Sequence, residues 1–518
     1  MAYNTSRSTF FCPAGTKWYW EFVPTTGYNY ASCGITTNSA GWAVNPGGTT
    51  DGHGVGFYNN EIDIDGTRTT PSGPASTAWA SGDIIGFAYD VDANTIKKYI
   101  NGSLDYTFTS VPVSTDGPYS PTFGDFGGSV AATINVNFGA DSSFGGLKTA
   151  QGNQDGNEKG DFYYTPPSGY LALCTDNLSA PEIALPGENF NTLIYDDGAG
   201  AKTGVGFQPD LVWVKSRGSL YDHKLTDSVR GVTKSLESNE LTAEATDSTG
   251  LTAFGADGFT VGADTNYADT TGTGMVAWNW KAGGSAVANT TGTIDALVSA
   301  NTAAGFSIVK FNEAGTGVNA TIGHGLSQAP ELVIGKPYNA GDSWRVGSDF
   351  LTSWAYIMRL QTTVAEFSFP TAFNSLAPTS TLVNMGTDGL NNSPYESVLY
   401  CFHSVEGYSK IGSYVTVSGA ATNGLGNFIY TGFKPAWFLN KMISGPDGAG
   451  GWFLYDNKRN AYNLTGTYLV PSANYADEVA TQGWDFLSNG IKLRASFSAN
   501  THIYMAFAES PFKYSNAR

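Results

Sequence analysis

Three stretches far apart in the chain repeat one pattern: GFQPDLVWVK ending at Lys215, GLSQAPELVIGK ending at Lys336 and GFKPAWFLNK ending at Lys441. Each has a proline six residues before its lysine, at Pro209, Pro330 and Pro435. Each leads to an aromatic-rich segment, MVAWNWKAG, VLYCFHSVEG or IYMAFAESPF. The lysine-to-aromatic separations are 65 residues to Trp280, 66 to Phe402 and 66 to Phe507. Chance would not hold that register, so the C-terminal part of the chain is one unit written three times. Proline fixes φ and lacks an N–H, so a Gly-aromatic-x-Pro turn sets the backbone where it enters a buried strand. The lysine is expected to mark where that strand returns to solvent.

Between these landmarks each copy carries a further strand, DGFTVG from Asp257, STLVNMG from Ser380 and NGIKLR from Asn489. Ahead of the proline the second and third copies have alternating strands, GFSIVKF from Gly305 and GSYVTV from Gly412, and the first has the weaker NTLIYD from Asn191. Units of about 100 residues exceed the 20–50 of a solenoid repeat and match a small β-sandwich. The expected boundaries are 186–290, 291–410 and 411–518. Separate sandwiches are expected to share little core and to lose stability locally.

The first 180 residues have a different pattern. KWYWEFV from Lys17 alternates apolar and polar positions, and GDIIGFAYDVD from Gly82 is a denser strand. DVDANT and the NGS at Asn101 are turn sequences bracketing IKKYI, which makes a hairpin and then a meander. Glycine, 64 of 518 residues, exceeds its usual share of about 7%, while aromatics reach 14%. That combination suits sheet with tight turns and enough apolar area to fold.

GTKWYWEF (15–22), GVGFYNNEIDIDGT (54–67), GDIIGFAYDVDANTIKKYINGSL (82–104) and FYYTPPSGYLAL (162–173) resemble successive strands of a SPRY domain. Only sixteen residues precede Lys17, fewer than is usual before that block, so the first edge of the sandwich is expected to be built differently. From Asn189 onward the repeats, with GFxP, YDNKRN (455–460) and IYMAFAESPFKYSNAR (503–518), resemble a domain that recurs in tail fibres and other structural proteins of tailed phages of marine bacteria. The whole is therefore read as all-β, a SPRY-like bent β-sandwich over 1–180 followed by three tandem β-sandwich-like repeats.

Charge and composition narrow the partners. A net charge of -18 without basic runs repels phosphate backbones, which excludes nucleic acid. No stretch of 18 apolar residues and no secretory leader is evident, so no membrane insertion is expected and the chain is read as made in a cytoplasm, which the phage resemblance implies is that of the bacterial host of a virion. Cys12, Cys33, Cys174 and Cys401 are widely spaced and read as reduced structural thiols, with no metal site and no cofactor expected.

Catalytic constellations are not apparent. His53, His223, His324, His403 and His502 sit in different segments, and His324 in IGHGLSQAP reads as turn packing because the other copies lack it. Glu61, Asp63 and Asp65 fall on one strand face and read as solvated, as do Asp196 and Asp197 in a turn. DVDANTIKKYIN begins like a calcium loop but has Thr95 and Asn101 where glycine and glutamate are required. NQDGNEKGD (153–161) reads as a flexible polar insert suited to a partner contact.

Binding remains, since loops rich in Tyr, Trp, Asn and Gly supply stacking surfaces for sugars or protein epitopes. The candidate contacts are Tyr28, Tyr30, Trp42, His53 and Tyr58; Trp79, ahead of a core strand, is expected to be buried. The phage resemblance implies a non-enzymatic virion protein, a tail fibre or external appendage, that contacts other virion proteins and a host-surface glycan or protein. A homo-oligomer is expected, a trimer by preference. A head decoration or tail collar protein and a glycan depolymerase are the alternatives.

Overall fold

In the computed structural model the described residues are 4–37, 53–58, 60–69, 77–112, 118–125, 131–312, 320–392, 394–416, 427–445, 450–494 and 498–515. They are all-β apart from short 3-10 turns, as expected. The chain divides into Met1–Ser179 and Ala180–Arg518.

In the N-terminal unit the alternating apolar residues drive two antiparallel sheets together. One has the order Asn4–Arg7, Ser120–Asp125, Ala31–Thr36, Gly54–Tyr58, Glu61–Ile64, Thr67–Thr69. The other runs Ile134–Asn137, Lys17–Pro24, Ile85–Asp90, Thr95–Ile100, Ser103–Phe108. Their inner faces meet through Phe57 and Phe87, with ring centroids 5.0 Å apart, and through Phe22 and Phe123 at 6.1 Å. The hairpins form at the expected turns: Asn94 and the Asn101–Gly102 pair adopt the positive φ that these residues tolerate. Asn4–Arg7 closes the edge beside Ser120–Asp125.

Each C-terminal repeat folds as a central sheet backed by further strands, six strands backed by smaller sheets in the first two and four backed by four in the third. In the first, Phe190–Tyr195, Met275–Trp280, Leu211–Ser216, Lys224–Asp227, Lys234–Glu237 and Ala245–Thr246 face a sheet of Gly200–Thr203, Gly258–Val261 and Leu251–Gly255. The repeat landmarks coincide in register, with Leu211 opposite Trp280, Leu332 opposite Phe402 and Trp437 opposite Phe507. The boundaries shift slightly, because Val287–Asn289 pairs into the second unit's sheet and Ser409–Val415 spans the expected 410/411 break.

The separate cores expected from sequence are corrected. The large sheets are buried on both faces, so their strands read as continuous apolar runs. On Leu211–Ser216, Val212 and Val214 face the unit's own second sheet, whereas Leu211 and Trp213 enter a core common to all three units. That shared core takes in Phe190, Trp280, Phe306, Phe402, Trp437 and Phe507. Phe507 stacks on Phe190 at 4.8 Å and also packs against Trp280 at 5.8 Å and Phe402 at 6.3 Å. The repeats are three lobes around one core.

The lobes close into a ring through equivalent seams. An arm from each unit reaches the next, where the Glu244 N–H donates to Tyr338 O at 2.7 Å, Glu366 N–H to Ile443 O at 3.3 Å and Asp477 N–H to Arg217 O at 2.6 Å. In each case the acceptor lies two residues after the repeat lysine. The Trp344 indole donates to Glu237 O at 2.8 Å and Trp452 to Arg359 O at 3.0 Å. His223, at the same place in the first unit, faces the Val470 backbone in the third.

These arms explain why the repeat lysines do not return to solvent. Lys215, Lys336 and Lys441 are fully buried. Lys336 donates to Leu241 O of the preceding unit at 3.2 Å, and Lys441 to Thr363 O at 2.9 Å. Lys215 bonds Ser216 O and Ser219 O at 2.7 and 3.0 Å. Burial pushes all three ammonium groups down to about 8.

Two seams add buried ion pairs. Arg230 meets Asp227 at 2.5 Å, and the Tyr400 hydroxyl from the next unit donates to that carboxylate at 2.8 Å. Arg459 meets Asp456 at 2.6 Å, and the Trp278 indole donates to Asp456 at 3.2 Å. At the third seam the corresponding residues are Ser348, Leu351 and Met505. Removing one member of a buried pair strands the other charge, so Asp456→Ala is expected to destabilise this body by about 3–5 kcal/mol, read as a lower urea midpoint.

Candidate functional site

The expected contact residues lie in the N-terminal unit. Gly27 in the left-handed conformation (φ 63°) starts a short turn, Tyr28–Tyr30, that feeds Ala31–Thr36. The turn is held by Trp79, whose indole donates to Tyr28 O at 3.1 Å. Trp79 is buried, as expected, and the Lys98 ammonium lies 5.3 Å from its ring. Lys98 is itself buried, bonded to Thr77 O at 2.9 Å and to Asp105 at 2.9 Å. Burial lowers its pKa and Asp105 opposes that shift. Ser81 donates to Thr25 O at 3.2 Å. The effect is a braced end of the sandwich with two half-buried tyrosines at its rim.

His53 does not join them. Its Nδ1 is 2.8 Å from Asp65 Oδ2, while Gly54 N–H donates to Asp65 Oδ1 at 2.8 Å. This pair sits beside Thr36, at the far end of Ala31–Thr36 from the tyrosine turn, a separation of about 17 Å at about 3.3 Å per residue. Tyr58 is corrected: it is 1% exposed, because every residue of Gly54–Tyr58 is covered. Trp42 lies outside the described residues. The structure thus brings Tyr28 and Tyr30 together with Trp79, and sets His53 apart.

The polar insert is also corrected. Asp155 is buried and accepts hydrogen bonds from Asn157 N–H at 2.8 Å, Lys159 N–H at 3.0 Å, Ala172 N–H at 2.8 Å and Asn177 Nδ2 at 2.7 Å. One carboxylate organises the whole insert against the final strand. Asp63 is buried too, so EIDID is not a wholly solvated face. Buried Glu21 accepts from Tyr163 and Tyr164 N–H, both at 2.9 Å, and desolvation raises its pKa. Asp155 and Glu21 fix backbone, and sequence reasoning missed them because most of their partners are main-chain N–H groups.

His324 packs a turn, its Nδ1 accepting from Leu326 N–H at 3.1 Å and its Nε2 lying 3.1 Å from Thr379 O. The four cysteines are free. Among the described residues no group of three or more His, Cys, Asp or Glu is placed to hold a metal ion, and no helix is long and apolar enough to cross a membrane.

Residues 185–511 match a family model described as a domain of unknown function, DUF7483. The chain belongs to that family. The match covers the three-lobed ring and stops short of the N-terminal unit. No curated protein matches. Among solved structures the chain is similar to the SPRY domain of human HERC1, at 15% identity and TM-score 0.22, over 26% of this chain and 82% of that one. It is also similar to a TRIM65 PSpry domain, at 15% identity and TM-score 0.19, over 25% of this chain and 67% of that one. A third similarity is to stonustoxin, at 16% identity and TM-score 0.21; it covers 26% of this chain and only 22% of the toxin chain.

Proposed function

We propose that this DUF7483 protein is a non-enzymatic structural protein of a bacteriophage virion, a tail fibre or another external appendage that binds the host cell surface. The observation that carries this reading is the ring itself. Three repeated lobes share one core, and two of their lysines, Lys336 and Lys441, and the Asp–Arg pairs of two seams are turned inward to tie neighbouring lobes together. Such a body holds its shape and presents loops, as an appendage must. The braced Tyr28–Tyr30 end of the N-terminal unit supplies aromatic rims of the kind that contact glycan or protein. Its partners in this reading are other virion proteins and a host-surface glycan or protein, and the assembly is a homo-oligomer, with a trimer favoured.

Gold-labelled antibody to the chain is expected to decorate the tail or its appendages in electron micrographs of virions. Purified full-length chain added before infection is expected to slow adsorption. Gold confined to the capsid shell, with adsorption unchanged, would replace this reading with a head decoration role.

A further inference from the structure

One connection in the third lobe is longer than its counterparts in the other two. In the first unit six residues separate Arg230 from Leu236, the residue paired with Leu225 on the neighbouring strand. In the second, seven residues separate Leu351 from Met358, the partner of Val346. In the third, ten separate Arg459 from Leu469, the partner of Leu454. The extra residues form a loop, 460–464, whose central side chain, Tyr462, is 84% exposed.

That loop is pinned on both sides of Tyr462. Arg459 is tied to Asp456 at 2.6 Å and to Asp477 at 2.8 Å. Asn460 Oδ1 accepts from Thr467 N–H at 2.7 Å. Asn463 makes a reciprocal pair with Phe486, donating to its carbonyl at 3.1 Å and accepting from its N–H at 2.9 Å. A tyrosine held out by so many fixed neighbours has already lost most of the backbone freedom that binding would otherwise remove. Asp477 also pins the neighbouring arm, which exposes Tyr475, and Val479 lies opposite Thr467, two residues past Asp477. Leu464, at 38% exposure, and Val479, at 77%, add apolar surface.

The surface carries no excess of either charge. Asp456 and Asp477 are matched by Arg459 and Arg217, and the exposed Glu478 carboxylate, which accepts a hydrogen bond from the Tyr468 hydroxyl, is balanced in number by the exposed Lys458. A balanced surface gives a charged ligand no net attraction and so favours an uncharged one. An exposed tyrosine on a loop fixed at both flanks offers the flat face on which the C–H side of a pyranose ring stacks, and its hydroxyl supplies a hydrogen-bonding edge. We propose that residues 460–464, with Tyr475 and Val479, form a saccharide-binding surface for neutral glycan chains, with Tyr462 as the stacking platform. This deepens the host-surface reading by naming a ligand class, but its test depends on no virion.

The test is titration of the full chain with maltopentaose and cellopentaose, followed by saturation-transfer NMR and calorimetry. At least one oligosaccharide is expected to bind, Tyr462→Ala to weaken it at least tenfold, and Tyr462→Phe to stay within about threefold. Unchanged thermal unfolding of both variants would exclude a folding defect. Absence of binding by either oligosaccharide, or equal binding by the Ala variant, would overturn the proposal. If the chain blocks phage adsorption while binding neither oligosaccharide, the saccharide surface fails and the appendage reading stands.

Discussion

Raising the pH from 8 to 9 is expected to stabilise the Ala180–Arg518 body by about 2.5 kcal/mol, opposite to the usual loss of stability toward alkaline pH. The cause is the lysine triad. Lys215, Lys336 and Lys441 titrate near 8 when folded, mainly because burial penalises the ammonium, against an ordinary lysine value of 10.5. A depressed folded pKa means that between about 8 and 10.5 the unfolded chain holds protons that the folded chain has released. Stability therefore rises through that window and is lost as pH falls through 8. Each lysine contributes up to roughly 3 kcal/mol across the full range. Cys401, which burial pushes up to about 12, has the opposite sign from about pH 8 upward and removes roughly 0.5 kcal/mol of the gain by pH 9, and buried tyrosines such as Tyr408 oppose above pH 10. The cleanest interval is thus pH 8 to 9. Urea midpoints of the wild type should rise across it, and each Lys→Met change should remove about a third of the slope, whatever it does to absolute stability. A flat or falling midpoint in the wild type would show that the three sites stay charged.

The strands and register of the ring were legible in the sequence because the landmarks carry side-chain information. The proline, lysine and aromatic positions each recur, and the structure puts Leu211 opposite Trp280 and Trp437 opposite Phe507, as equal spacing requires. Closure of the ring was not legible. Its seams use main-chain acceptors, Leu241 O, Thr363 O, Glu237 O and Arg359 O, which leave no trace in residue identity. For that reason the lysines looked like strand ends rather than buried ties. The N-terminal contacts were legible only in part for a related reason. Composition marks Tyr28, Tyr30 and Tyr58 alike as aromatics near turns, but which face is covered depends on the neighbouring strands. Tyr462 carries no such mark, because recurring landmarks show only what the copies share and this longer loop belongs to one copy alone.

Replacing Phe507 by Ala is expected to cost about 3–5 kcal/mol and to weaken all three lobes together. The ring is stacked on Phe190 of the first lobe and lies within 5.8 Å of Trp280, 6.3 Å of Phe402 and 5.7 Å of Trp437. Truncation therefore opens a cavity bordered by every unit, and no single lobe can collapse to fill it without disturbing the seams. Trp280→Ala and Phe402→Ala should behave alike, since both side chains enter the same core. The measurement is urea unfolding followed at two probes, the near-ultraviolet signal of the tryptophans and hydrogen exchange of amides in the second lobe. Both should move to a lower midpoint by the same amount, with the slope against urea unchanged, because the surface exposed on unfolding is the same. If the second-lobe amides kept their wild-type midpoint while the third lobe alone melted early, the lobes would be energetically separate despite their packing. A shared shift would show that the unit written three times is read by the chain as one cooperative fold, in which the copy number itself supplies the core that no copy has alone.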